Sequence, residues 1–238
     1  MKILVINAGS SSLKYQLLET KSGKVIAKGN CERIGIKDPF ISYKHDGKEM
    51  KFPGAKNHEE AIEKVLQILT DKEYGVVKSL EEIEAVGHRV LHGGEIYKES
   101  VLVTKEVLKN LDKLVPLGPL HMPANIAGIR ACMVKMPNVP HVAVFDTAFH
   151  ATMPEKAYMY AIKYEDYEKY HIRKYGFHGS SHRFITLETA KILGKPVSKT
   201  NIIVAHIGNG SSVTAVKNGK SVDTTMGLTP LQGMVMGT

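Results

Sequence analysis

The chain has 238 residues, enough for one large domain or two small ones. Its 43% hydrophobic and 24% charged residues belong to a globular protein, and no apolar run nears the roughly 20 residues that would span a bilayer. The net charge of +8 comes from 32 Lys and Arg interleaved with 24 Asp and Glu. Without a basic run, a zinc-finger spacing or an RNP-like aromatic pattern, that balance argues against nucleic acid as a partner. It describes a solvated surface with a bias toward small anions.

The start, MKILVINAG, has the form of a strand and lacks a signal-peptide cleavage pattern, so secretion is not expected. Cys31 and Cys132 stand far apart and match neither a metal nor a redox spacing, which fits a reducing, cytoplasmic setting. Ile3–Ile6 reads as a buried strand that leads through a serine turn into a second strand, Leu13–Leu18. Lys21-Ser22-Gly23 turns into Lys24–Lys28, and Asp46-Gly47 joins two further short strands as a hairpin. From His58 to Thr70, Ala61, Ile62, Val65, Leu66 and Leu69 keep helical spacing. Ile83–His88 reads as a buried strand, TKEVLKNLDKLV and PANIAGIRACMVK as helices, and HVAVFD (141–146) as another strand. Pro123 suits the first turn of the second helix.

A helix is predicted from an N-cap at Ser180 or Ser181 to a stop at Gly194. NIIVAHIGNGSSVTAVKNGKSVDTT then reads as strand, turn, strand, turn and strand. This alternation is that of an α/β protein. The change of character after Asp146, at HATMPEKAY, sets a boundary between residues 1–150 and 151–238. Gly9-Ser10-Ser11 and Gly210-Ser211-Ser212 each follow a buried apolar run and precede an alternating strand, which points to two lobes built on one plan.

Five stretches carry candidate chemistry. A hairpin needs only a two-residue turn, yet Asn7, Gly9, three serines and Lys14 occupy the first one. Small residues let backbone N–H groups approach an anion, the Ser10 and Ser12 hydroxyls add donors, and Lys14 adds charge. Neither this turn nor Gly208-Asn209-Gly210 has the spacing of a P-loop or a dinucleotide fingerprint; together they favour phosphate. In GHRVLHGGE, Arg89 at a strand end suits bidentate capture of a carboxylate or phosphate, or equally a structural pairing with Glu. In VFDTAFH, Asp146 lies where open α/β sheets place ligand groups, and a capping role is the alternative. His178 and His182, four apart in YGFHGSSH, lack the Glu of a zinc helix motif and read as a loop residue and an early helical residue. His121 and His206 are the other placed imidazoles, whereas His45, His58 and His171 read as surface residues.

The runs NAGSSSLK (7–14), GHRVLHGG (87–94), FDTAFH (145–150), HGSSH (178–182) and HIGNG (206–210), in that order, closely resemble the acetate kinase (acetokinase) family. That family belongs to the superfamily of acetate and sugar kinases, Hsp70 and actin. The resemblance covers the whole chain. It implies a fold of duplicated ribonuclease H-like lobes, with the second incomplete here, and the reaction of ATP with acetate to give ADP and acetyl phosphate. It also implies Mg²⁺, or Mn²⁺ in its place, and a homodimer at full length. Carried over by position, Asn7 would help bind the metal, while Lys14, Ser10, Ser12, His206, Ile207, Gly208, Asn209 and Gly210 would bind the nucleotide phosphates. Arg89 would hold the acetate carboxylate, Asp146 would be the catalytic carboxylate, and His178 would stabilise the transferring phosphoryl group. Leu91, Leu120, Phe177 and Pro230 would form the pocket for the methyl group. Propionate or butyrate kinase, or a non-catalytic nucleotide-binding module of the same fold, are the alternatives.

The family pattern continues past TPLQGMVMGT into an Arg-Ser-Gly-Asp run, whose arginine is a second transition-state cation. A fragment, inactive and poorly stable alone, is therefore expected, with sheet edge and apolar surface left exposed.

Overall fold

Alternation decides which face of the first strand is buried: Leu4, Ile6 and Ala8 are covered in β1 (Lys2–Ala8), and the residues between them only partly. The computed structural model describes residues 1–237, which form two compact units. The first unit comprises Met1–Val90, Val101–Val115 and Pro119–Ala143. The second comprises Leu91–Ser100, Pro116–Gly118 and the chain from Val144 onward.

In the first unit, β1 continues into an antiparallel meander of β2 (Ser12–Glu19), β3 (Val25–Glu32), β4 (Phe40–His45) and β5 (Lys48–Pro53). Asp46 and Gly47 both have positive φ, 49° and 75°, as the tight hairpin between β4 and β5 requires. On its other side β1 pairs in parallel with β6 (Ala85–Val90), Ile6 lying opposite His88. With β7 (Val101–Leu102) and β8 (His141–Phe145), the sheet order is β5-β4-β3-β2-β1-β6-β8-β7.

The connection from β5 to β6 carries α1 (His58–Leu69), whose five predicted apolar residues are buried together with Ile68. Asn57 caps the helix, its Oδ1 accepting the Glu60 N–H at 2.9 Å. The strand predicted from Ile83 starts two residues later, because Leu80–Glu82 form a 3₁₀ turn closed by the Ile83 N–H on the Leu80 carbonyl. α2 (Lys105–Lys113) and α3 (Met122–Lys135) follow, Pro123 falling in the first turn of α3 as predicted. The core gathers Leu4, Leu17, Ile41, Tyr43, Ile62 and Leu69. Cys31 and Cys132 are free thiols within it, and burial pushes each up to about 12.

The second unit holds α4 (Glu155–Tyr158), α5 (Tyr164–Tyr170), α6 (Gly179–Ile192) and a three-stranded antiparallel sheet. Its strands, β9 (Ile202–Ile207), β10 (Ser211–Lys217) and β11 (Lys220–Thr224), lie in the order β11-β10-β9. The sequence does not announce α4 and α5. They are short, and the partner that steadies this segment comes from far upstream. The Glu95 carboxylate accepts from Tyr167 Oη at 2.9 Å and from Arg173 Nη1 and His171 Nδ1, each at 3.0 Å. The Arg173 guanidinium in turn lies 3.5 Å over the Tyr158 ring.

α6 corrects the predicted cap. The helix begins at Gly179, and His178 precedes it in the left-handed region at φ 59°, with no side-chain cap. Ser181 cannot cap, since its hydroxyl faces His206 instead. The predicted stop holds: Gly194 takes φ 63° and the Lys195 N–H reaches back to the Ala190 carbonyl. β9 is a sheet edge that leaves Ile203 and Ile207 exposed. The architecture is α/β, as the alternation implied.

Candidate functional site

The first unit assembles one group of candidate residues at the carboxyl ends of β1 and β6. The serine turn closes tightly, the Gly9 N–H bonding the Ser12 carbonyl at 2.7 Å. That register places Asn7 directly opposite Lys14, so both side chains stand on one face of the sheet. Arg89, the penultimate residue of β6, donates from Nη1 to Asn7 Oδ1 at 3.0 Å. A cation, an amide and a second cation thus share one corner. Ser10 is exposed and Ser12 half-buried at the turn itself.

The same face opens into a cavity of about 550 Å³ whose lining includes Asn7, Lys14, Lys28, Asn30 and Lys44 and no carboxylate. Lys44 is held by Glu49 at 2.9 Å, which leaves the lysines nearer the turn to set the local potential. This is where the scattered positive charge gains a shape suited to anions.

Two residues that sequence reading passed over anchor the turn. His58, read as a surface residue, donates from Nε2 to the Gly9 carbonyl at 2.7 Å. Asn125, buried in α3, donates from Nδ2 to the Ala8 carbonyl. α3 approaches β1 closely at this level, because a Cβ on Gly128 would stand 3.2 Å from that of Ala8. No local pattern signals either anchor, since each partner lies in a distant part of the chain. His45 is likewise engaged, through Nδ1 on the Ile26 carbonyl at 2.9 Å, whereas His171 is exposed as predicted.

Behind β6, on the buried face, His88 and His141 stack with ring centroids 5.3 Å apart. His141 Nε2 donates to the Met136 carbonyl at 3.1 Å, so its Nδ1 accepts from His88 Nε2 at 3.0 Å. Burial, then the neighbouring ring, pulls His88 down to about 3, and burial lowers His141 as well.

The second unit assembles the other group. Asp146 follows β8 immediately and is only 2% exposed. Its backbone carbonyl accepts the first N–H of α6, from Gly179, at 2.9 Å. A Cβ at Gly179 would lie 2.1 Å from that oxygen, so only glycine permits the approach. Two residues after Asp146 begins the turn Ala148–Thr152, which packs on β11. There His150 donates from Nε2 to the Phe177 carbonyl and faces Ser221 Oγ through Nδ1, both at 2.9 Å. Burial, the dominant cause, brings His150 down to about 4, although the Asp146 charge acts the other way.

His178 stands beside the glycine turn after β9. Its ring stacks on His206 at 4.0 Å between centroids, and its Nδ1 lies 2.9 Å from Ser212 Oγ. His182 Nε2 meets the same hydroxyl at 2.7 Å, and His206 Nδ1 meets Ser181 Oγ at 2.9 Å. Ile207, Gly208 and Asn209 are exposed, with the Gly208 N–H closing on the Gly210 carbonyl at 3.1 Å. Gly210 leaves room for His178, because a Cβ there would be 3.3 Å from the ring. His178 and His182 therefore meet a serine rather than forming a zinc pair, and the described residues contain no group of three His, Cys, Asp or Glu placed for a metal. Ser212 was visible in the sequence only as part of the repeated Gly-Ser-Ser.

Of the residues matched to an apolar pocket, Leu91 and Phe177 are buried in the second unit and Pro230 is half-buried there. Leu120 belongs to the first unit and is 76% exposed. His121, next to it, precedes α3 as its N-cap residue.

The metal assigned to Asn7 can be tested on its chemistry. Mg²⁺ takes oxygen ligands, keeps several waters and is held through few protein groups plus substrate phosphates. An amide oxygen has two lone pairs, and Arg89 uses one of them. Asn7 thus fits a hydrated, phosphate-borne ion.

A model of the acetokinase family matches residues 2–238. The acetate kinase of Caldanaerobacter subterraneus subsp. tengcongensis is 59% identical over all of this chain and 60% of its own length. Among solved structures, Porphyromonas gingivalis acetate kinase superposes with a TM-score of 0.95 at 46% identity, covering 100% of this chain and 60% of that one. A propionate kinase from Francisella tularensis gives 0.92 at 44% identity with the same coverage. The chain therefore spans 60% of the length of these relatives.

Proposed function

Because this chain belongs to the acetokinase family, we propose that it carries the substrate-binding part of an acetate kinase, which transfers a phosphoryl group between ATP and acetate to give ADP and acetyl phosphate. The observation that carries the reading is the corner made by Asn7, Lys14 and Arg89. Phosphoryl transfer asks a protein mainly for positioning and charge stabilisation, and that corner offers a forked cation, a point charge and an amide oxygen. Arg89 holds the carboxylate of acetate. Lys14, with Ser10 and Ser12, takes phosphate in the first unit, and in the second unit the turn His206–Gly210 takes phosphate as well. Asn7 would help hold Mg²⁺, or Mn²⁺, and the ion would supply charge neutralisation at the phosphates when bound.

Asp146 acts by orienting its surroundings, since acetate at neutral pH has no proton to lose. His178 donates to the transferring phosphoryl group, and Leu91, Phe177 and Pro230 contact the methyl group. In family terms, residues 1–150 make the N-terminal lobe and 151–238 the first part of the nucleotide lobe. The longer form works as a homodimer in the cytoplasm, a setting supported by two buried thiols that remain free. The likeness to a propionate kinase supports a second acyl preference, because a pocket separates one methylene by only about 1–3 kcal/mol.

The test is acyl-hydroxamate formation with ATP, Mg²⁺ and acetate, propionate or butyrate, in this chain and in a form carried to the relatives' length. Acetate-dependent turnover in the longer form, abolished by Asp146→Asn, is the expected result, with little or none from the 238 residues alone. ATP binding without carboxylate-dependent turnover in the longer form would replace this reading with that of a non-catalytic nucleotide-binding module.

A further inference from the structure

We infer that Ser212, held by His182, is a positioning residue that sets the tautomer of His178 and keeps its ring proton on Nε2. Ser212 Oγ lies 2.9 Å from His178 Nδ1 and 2.7 Å from His182 Nε2. A hydroxyl has one proton, so it donates to one ring and accepts from the other. Both Ser212 and His182 are fully buried, and burial pulls His182 down to about 3, so its ring is neutral and carries a single N–H.

Two arrangements satisfy that count. In the first, Ser212 donates to His182 Nε2, and the His182 proton then sits on Nδ1. That atom is buried and meets no partner among the described residues, which makes it an orphaned N–H. Such groups are rare in native proteins, whereas an idle acceptor is better tolerated. In the second arrangement, His182 Nε2–H donates to Ser212 Oγ, and Ser212 Oγ–H donates to His178 Nδ1. The idle atom is then a lone pair on His182 Nδ1, and no N–H is stranded. The second arrangement wins.

Its consequence falls on His178, whose remaining proton must sit on Nε2. That nitrogen lies 3.3 Å from where a Cβ on Gly210 would stand, beside the turn after β9. The relay from His182 through Ser212 therefore turns an N–H, and not a lone pair, toward the Gly208–Gly210 turn. The value of that N–H to phosphoryl transfer rests on the proposed function, since a lone pair would repel an anionic oxygen. The tautomer itself does not depend on it.

The experiment is long-range ¹H–¹⁵N correlation NMR on the ¹⁵N-labelled chain near pH 8, with His178 and His182 assigned from His178→Gln and His182→Gln. Both rings are expected as Nε2–H tautomers. The rejected arrangement would give Nδ1–H on both. Ser212→Ala should move the His178 Nδ1 resonance toward that of a bare ring nitrogen, and Ser212→Thr, which restores a hydroxyl, should return it. His182→Gln keeps a side-chain N–H donor and should leave His178 as Nε2–H. An Nδ1–H ring at either histidine, or a His178 Nδ1 resonance that ignores Ser212→Ala, would overturn the inference.

In the longer form, Ser212→Ala should lower kcat about tenfold with KM values nearly unchanged, and Ser212→Thr should recover it. An unchanged kcat would remove the positioning role. Absence of turnover in the parent would count against the proposed function and leave the tautomer result standing.

Discussion

Acidification should destabilise the first unit through His88, and His88→Gln should remove most of that effect. His88 is 2% exposed, donates to His141 Nδ1 and is pulled down to about 3 by burial and by the neighbouring ring. An unfolded histidine titrates near 6.5. Between these values the unfolded chain binds a proton that the native one refuses, so stability is complete above about pH 6.5 and is lost progressively as the pH falls. The slope approaches about 1.4 kcal/mol per pH unit, which amounts to about 2 kcal/mol between pH 6.5 and 4.5.

Glutamine places an N–H₂ near the position of Nε2 and can donate to His141, but it does not titrate. At pH 7.5 the variant should lose about 1–2 kcal/mol from imperfect packing. That gap should close by about 2 kcal/mol on reaching pH 4.5. His92, His150 and His182 lie in the second unit and titrate alike in both proteins, so the difference reports His88 together with its partner His141. Urea unfolding followed by circular dichroism at four pH values measures it. A gap that stays constant within about 0.5 kcal/mol would refute the reasoning.

Three further outcomes are expected. Gly179→Ala forces a methyl to within 2.1 Å of the Asp146 carbonyl, so the start of α6 must shift. A loss of about 3 kcal/mol or more should appear as a clearly lowered Tm, and an unchanged Tm would contradict the close approach. Asn57→Ala removes the α1 cap and should cost about 1 kcal/mol in urea unfolding, with Asn57→Ser nearly neutral. Arg89→Lys keeps the charge but loses the planar fork. It should reduce kcat/KM for acetate in the longer form by about 2 kcal/mol, roughly thirtyfold, and equal rates would show that Arg89 does not bind the carboxylate through its fork.

Much of this protein is legible as sequence because its signals are local. Apolar alternation marks β1, Asp46-Gly47 marks a hairpin, and the spacing of Ala61, Ile62, Val65, Leu66 and Leu69 marks α1; each depends on neighbours within a few residues. The ordered runs around Asn7, Arg89, Asp146, His178 and His206 likewise sufficed to identify the family. Contacts between distant positions left no such mark. α4 and α5 escaped notice because Glu95 steadies their segment from far upstream. The first turn of α6 starts where the Asp146 carbonyl receives the Gly179 N–H, which no capping pattern announces. His58 and Asn125 could not be seen as anchors of the serine turn until α1 and α3 were packed on β1. Which ring nitrogen His178 turns outward depends on a serine 34 residues away and on one unpartnered buried atom of His182. Periodicity and turn chemistry are written along the chain, whereas the pairing of hydrogen-bond donors with acceptors is settled only when the chain closes on itself.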